Sequence, residues 1–344
     1  MNHYRAGMIF IALWGLLSFP GLAGYGQVER RLGDAFYVVP LGVKGGLDES
    51  NLSAYLVATK GNYDYVCLDA GTLRFGLQKA ADSGLFDEAP GFQGQNPGHG
   101  PRDRPGADFV MRHFIKAYLI SHPHLDHIAG LIINSPEDSA KNIYGLSFCL
   151  EVLRDHYFTW KTWANFGDQG DRPALGKYHY APLTAGQETA IAHTPLFVTA
   201  FPLSHSKPNQ STAFLLRSGD AYLLYLGDTG ADQVEESDKL RQLWTSIAPL
   251  IRAGKLRALF IEVSYPNAQP QKSLFGHLTP RLLDRELIKL DSLAGKGSLK
   301  GFPILVTHIK PSGDHEATIK EELAAENPLG VQWIFPEQAK ALSF

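Results

Sequence analysis

Ser121-His122-Pro123-His124-Leu125-Asp126-His127-Ile128-Ala129-Gly130-Leu131 follows directly on the apolar run Ile115-Lys116-Ala117-Tyr118-Leu119-Ile120. Three imidazoles and a carboxylate fall within six positions. Residues two apart on an extended segment point to the same side, so His122 and His124 can reach one metal ion from a strand end. Asp126 and His127 are adjacent in sequence and cannot share that direction, but they can reach a second ion close by. Polar groups crowded at the end of a buried strand are costly to desolvate, and a divalent cation compensates several of them at once.

The same device recurs downstream, where apolar runs end in single polar residues. Leu196 to Ser204 leads to His205, Ala221 to Gly227 to Asp228, Ala258 to Ile261 to Glu262, and Pro303 to Thr307 to His308. Each reads as a strand that delivers one group to a common edge. The economical assignment gives His122, His124 and His205 to one ion and Asp126, His127 and His308 to another, with Asp228 as a bridging carboxylate. Nitrogen and oxygen ligands without thiolate suit Zn²⁺ first, with Mn²⁺ or Fe as alternatives. Two such cations about 3.5–4 Å apart would bring a shared water to hydroxide near neutral pH.

Around this core the strand runs Ala35 to Gly42, Leu52 to Ala58 and Tyr65 to Gly71 come early, and the last two form a hairpin through Lys60-Gly61-Asn62-Tyr63-Asp64. Asp69, before Gly71, either supports the metal loop by hydrogen bonds or caps the turn. Helices are expected from near Asp126, over Asp238 to Ile251, and over Pro280 to Leu290, from the spacing of their apolar residues. Strands in both halves with helices between them imply an α/β fold of two sheets sandwiched between helical layers. Leu85 to Asp108, rich in Gly, Pro and charge, reads as a surface loop or lid carrying His99 and Arg102. The aromatics between Tyr144 and His193 read mostly as core.

The chain has 344 residues, 44% hydrophobic and 19% charged, with a formal net charge of -3. That is enough chain for a sizeable core, and the dispersed Lys and Arg give no footprint for long nucleic acid or anionic lipid. The short basic start and the apolar run Gly7 to Phe19, then Pro20-Gly21-Leu22-Ala23-Gly24, read as a signal peptide over 1-23 ahead of a single domain over 24-344. The run is short for a bilayer span, so no stable membrane anchor is expected after cleavage, and the protein is expected in the periplasm or secreted. Cys67 and Cys149, both in apolar surroundings, read as buried free thiols.

The segment Ser121 to Pro136 resembles the signature of class II 3′,5′-cyclic-nucleotide phosphodiesterases, a family with the metallo-β-lactamase fold. Leu226-Gly227-Asp228-Thr229-Gly230, Phe260 to Asn267, Phe275-Gly276-His277-Leu278-Thr279-Pro280 and Thr307-His308-Ile309-Lys310-Pro311 agree with it. The resemblance implies a metallo-β-lactamase-like αββα four-layer sandwich and a dimetal hydrolase. That enzyme would cleave 3′,5′-cyclic AMP, and cyclic GMP as a second candidate, to the 5′-nucleotide by metal-activated hydroxide. It implies that all seven metal ligands are present: His122, His124, Asp126, His127, His205, Asp228 and His308. Similar tRNA-processing nucleases of this fold place a His after a comparable Glu-containing strand, which implies His277 as proton donor to the leaving group, with Glu262 orienting it. Asp126 is expected to accept the proton of the attacking water, and Lys310 and His315 are weaker candidates for phosphate contacts. The alternatives are another hydrolase of the fold acting on a β-lactam, thioester or lactone, and an exported binding protein without turnover.

Overall fold

A computed structural model describes residues 1, 35–92 and 106–344. The expected signal peptide, the cleavage region, His99 and Arg102 lie outside the described residues. In the first half the strands are β1 (Phe36–Gly42), β2 (Ala54–Thr59), β3 (Tyr65–Leu68), β4 (Ile115–Leu119), β5 (Lys141–Gly145) and β6 (Tyr178–Pro182). The second half supplies β7 (Glu188–Ala190), β8 (Phe197–Ser204), β9 (Gln210–Ser218), β10 (Ala221–Leu226), β11 (Leu256–Glu262), β12 (Pro303–Thr307), β13 (Gln332–Ile334) and β14 (Leu342–Ser343). They form two seven-stranded sheets, in the orders β14-β1-β2-β3-β4-β5-β6 and β13-β12-β11-β10-β9-β8-β7. Only β14 crosses from the C-terminal end to pair antiparallel with β1.

Alternation along the strands builds the layers. On β10, Leu223 and Tyr225 enter the core between the sheets, whereas Leu224 and Leu226 face the helices outside the second sheet. On β3, Val66 and Leu68 point between the sheets and Tyr65 and Cys67 point outward. A strand with both faces buried reads as a continuous apolar run, and these do. The outer helices are α1 (Arg74–Asp82), α2 (Ala107–His113), α3 (Leu125–Asn134) and α4 (Ser147–Val152) on the first sheet. The second sheet carries α5 (Asp232–Glu235), α6 (Lys239–Arg252), α7 (Pro280–Ala294) and α8 (His315–Ala325). The result is the expected α/β four-layer sandwich. Both cysteines are buried and free, and among the described residues no helix is long and apolar enough to cross a membrane.

Among the described helices α7 alone starts on a side-chain cap from its N-cap residue. Thr279 accepts a hydrogen bond from the Leu282 amide and Pro280 occupies the first turn of α7, where its missing N–H costs nothing. In α6 the apolar residues Leu240, Leu243, Trp244, Ile247 and Ile251 all land on the buried face.

Two expectations need correction. Within the stretch read as a surface loop from Leu85, Phe86 and Phe92 are buried and pack with Phe114. Of the aromatics read as core, Trp160 and Trp163 are exposed, although Phe158, Tyr178 and Tyr180 are buried.

Candidate metal centre

Strand ends from both sheets meet at one edge. β4 runs into Ser121 and His122, both fully buried, and His124 stands in extended conformation at the start of α3, whose first turn carries Asp126 and His127. The end of β8 is followed by His205, β10 by Gly227 and Asp228, and β12 by His308, while β11 ends on Glu262. Close approach is built into the backbone: a Cβ on Gly45 would lie 2.3 Å from His308 Nδ1, and one on Gly71 2.1 Å from the Asp126 carbonyl. Only glycine fits at either place.

The seven residues fall into two adjoining groups, one of His122, His124 and His205, the other of Asp126, His127, Asp228 and His308. In the first, His124 Nδ1 lies 3.1 Å from His122 Nε2 and 3.3 Å from His205 Nε2. In the second, His308 Nε2 lies 3.2 Å from both Asp126 Oδ2 and Asp228 Oδ2, and His127 Nε2 lies 3.3 Å from Asp228 Oδ1. Asp228 Oδ2 is also 3.6 Å from His122 Nε2 and 3.9 Å from His205 Nε2, so this carboxylate stands between the groups.

Tautomers show what the arrangement fits. His205 Nδ1 donates to the Gly276 carbonyl (2.9 Å) and His127 Nδ1 to Asp69 Oδ2 (2.7 Å). The Ser121 hydroxyl donates to Asp69 Oδ2 (2.8 Å) and so accepts from His122 Nδ1 (3.0 Å). The Ser264 hydroxyl donates to Glu262 Oε2 (2.7 Å) and so accepts from His308 Nδ1 (2.9 Å). In the neutral form each of these four imidazoles turns a lone pair inward on Nε2, toward carboxylate oxygens and other lone pairs. Among the described residues buried His127 Nε2 has no hydrogen-bond partner. Acceptors facing acceptors in a buried site need a cation among them, and separations of 3.1–3.3 Å match the ~3.3 Å edge of a tetrahedron with metal–nitrogen bonds of about 2.0–2.1 Å. The donor set fits divalent metal.

The charge states of three imidazoles agree with that reading, whereas at His127 burial disfavours the charged form but Asp228, Asp69 and Asp126 outweigh it and raise the pKa. Burial holds His122 and His124 below the usual histidine range, and it lowers His205 to about 4. For Asp228 and Asp126, burial works toward protonation but the surrounding imidazoles outweigh it, and both stay ionised well below the ordinary carboxylate range.

A pair of buried carboxylates behind the ligands was only half visible in the sequence. Asp69, with a left-handed backbone (φ 53°), accepts from the Ser121 amide (2.7 Å), the Ser121 hydroxyl, His127 and the Tyr225 hydroxyl (2.6 Å). It supports the metal loop and does not merely cap a turn. Glu262 does the same in the second half, accepting from the Thr229 amide (3.1 Å), the Ser264 hydroxyl and His277 Nδ1 (2.8 Å). Each carboxylate thus fixes one histidine directly and a second through a serine. Neither Ser121 nor Ser264 was singled out for this role, and the only signal for either was a serine adjoining a metal-site residue or its strand.

His277 is buried with its Nδ1 3.8 Å from Asp228 Oδ2, and it stands with Glu262 and His308 at the same centre. Burial disfavours its charged form, but Glu262 overrides that and raises its pKa. Lys310 is half-buried, with its ammonium on the Asp126 side of the centre beside Gly46. His315 packs edge-on against Tyr265, at 6.3 Å between ring centroids, and belongs to neither ligand group.

Residues 35–338 match the family model of class-II cAMP phosphodiesterases. A 3′,5′-cyclic-nucleotide phosphodiesterase of Aliivibrio fischeri is 43% identical over 316 residues, covering 90% of this chain and 93% of that protein. A probable 3′,5′-cyclic-nucleotide phosphodiesterase of Yersinia pestis is 39% identical over 335 residues, covering 96% and 95%. Among solved structures, unliganded yeast PDE1 superposes with a TM-score of 0.78 at 24% identity, over 90% of this chain and all of that one. A metallo-β-lactamase fold protein from Bacillus subtilis does so at 0.57 and 17%, again over 90% and 100%. The fold is the metallo-β-lactamase fold, and the chain belongs to the class II cAMP phosphodiesterases.

Proposed function

We propose that the protein is a dimetal hydrolase that opens 3′,5′-cyclic AMP to the 5′-nucleotide, with Zn²⁺ as the metal. The observation that carries this is the convergence, in a chain of this family, of two ligand groups sharing Asp228 with a Glu262–His277 pair against them. When bound, the two ions would supply an activated water and neutralise the phosphodiester charge. His122, His124 and His205 would hold one ion, and Asp126, His127 and His308 the other, with Asp228 between them. Asp126, the more exposed of the two ligating carboxylates, accepts the proton of the attacking water. His277 supplies the proton to the departing 3′-oxygen. Its Nδ1 is bound to Glu262, which leaves Nε2 as the nitrogen free to donate, and the carboxylate favours the charged ring and holds it in one orientation. The N-terminal segment directs export to the periplasm or medium, which a reporter fused after Gly24 tests by its location.

The decisive assay incubates metal-loaded protein with cyclic AMP, cyclic GMP, nitrocefin and a thioester. Release of 5′-AMP, abolished by chelator and by His124→Ala, is the expected result. Consumption of another substrate with cyclic AMP left intact refutes the proposal.

A further inference from the structure

Phe275 is 62% exposed, stands two residues from His277, and holds a left-handed backbone at φ 52°. That conformation is costly for a residue with a bulky side chain and is ordinarily given to glycine or asparagine. Packing does not repay it. Phe275 belongs to none of the apolar clusters and touches no other ring among the described residues, while its neighbour Leu274 is buried. The loop itself is pinned. Gly276 follows in the same hand at φ 79°, its carbonyl accepts a hydrogen bond from His205 Nδ1, and a Cβ there would fall 2.4 Å from the Ser206 amide. A fixed, strained loop at the edge of the centre thus sets an unpacked phenyl ring in water. Strain kept at such a place points to function.

We propose that Phe275 is the platform on which the nucleobase of the substrate stacks. This rests on the phosphodiesterase reading above. With the cyclic phosphate at the metal ligands, the base stands one ribose away, and Phe275 is within about 7 Å of His277 along the chain. Two other large apolar side chains are exposed beside the centre, Leu47 and Leu125. Both are aliphatic, and Tyr265, whose ring lies 5.8 Å from that of His277, is only partly exposed and already engaged edge-on with His277 and His315. Phe275, with no ring partner among the described residues, offers an open π face, which binds any base without reading its edge. Stacking on Phe275 therefore does not by itself choose between the purine cyclic nucleotides.

Steady-state kinetics on cyclic AMP and on methyl riboside 3′,5′-cyclic phosphate, which lacks the base, test this. Phe275→Ala is expected to raise KM for cyclic AMP by roughly tenfold or more, leaving kcat and the kinetics of the base-free substrate unchanged, and Phe275→Trp to keep wild-type KM. Phe275→Gly is expected to raise the melting temperature while raising KM as Phe275→Ala does, a combination that a purely structural residue does not give. Equal KM for cyclic AMP in wild type and Phe275→Ala, or equal losses on both substrates, overturns the platform while the phosphodiesterase reading stands. If the wild type turns over neither substrate, that reading falls and the platform with it.

Discussion

Asp69→Asn isolates one charge without disturbing the backbone, because asparagine tolerates the left-handed conformation that Asp69 holds. The amide cannot satisfy the donors now bound to the carboxylate. With its NH₂ at the Oδ1 position it faces the Ser121 amide, which cannot turn away. With its NH₂ at the Oδ2 position it faces three donors: Tyr225, Ser121 and His127. The two hydroxyls can reverse. His127 can adapt only by moving its proton to Nε2, where it points at Asp228 Oδ1 and the inward lone pair is lost. A reversed Ser121 hydroxyl would likewise donate to His122 Nδ1 and switch that ring. Loss of a partner that orients a metal-bound histidine typically costs 10–100-fold in metal affinity, about 1.4–2.7 kcal/mol. Zinc titration against a competing chelator should show that loss, with activity falling at limiting metal and recovering in excess metal. Circular dichroism should show an intact fold. Unchanged zinc affinity in a folded Asp69→Asn protein would refute the claim that this carboxylate sets the tautomers.

Other perturbations separate chemistry from stability. His277→Ala should lower kcat by about 10²–10⁴-fold with bound metal unchanged by elemental analysis, and Glu262→Gln should lower kcat and also weaken metal binding, since it reaches His308 through Ser264. Asp138 is buried and accepts from Lys141, Tyr118 and Tyr178; Asp138→Ala leaves that ammonium buried without a counter-charge, hydrogen-bonded only to the Met111 carbonyl, and should cost about 3–5 kcal/mol in urea denaturation. Burial, reinforced by Glu326, raises the pKa of Asp284 to about 6. Its folded form binds the proton more tightly than the unfolded chain, so its contribution to stability falls as pH rises from about 4 to 6. Asp284→Asn should therefore raise the urea midpoint at pH 7.5 and change it little at pH 4.

Strand ends that carry a lone polar residue were legible because a buried apolar run has few reasons to stop at His or Asp. The hairpin of β2 and β3 and helices α3, α6 and α7 came from equally local signals, alternation and spacing. The loop corrections have the opposite cause: Phe86 and Phe92 sit among Gly, Pro and charged residues with no period to mark them, so their burial depends on Phe114, far along the chain. Asp69 was ambiguous for a related reason. An aspartate before a glycine looks the same whether it caps a turn or collects donors from β10 and α3.

The ligands enter from widely separated parts of the chain, and 182 positions separate Asp126 from His308. During synthesis the first half reaches completion with His122, His124, Asp126 and His127 in place but neither the shared carboxylate nor the last imidazole yet translated. The metal site cannot close on a nascent chain. Loading must follow the docking of the two sheets, so a fragment ending before residue 308 would leave one ligand group incomplete, without His308, and tight metal retention would serve as a certificate that the whole fold had assembled.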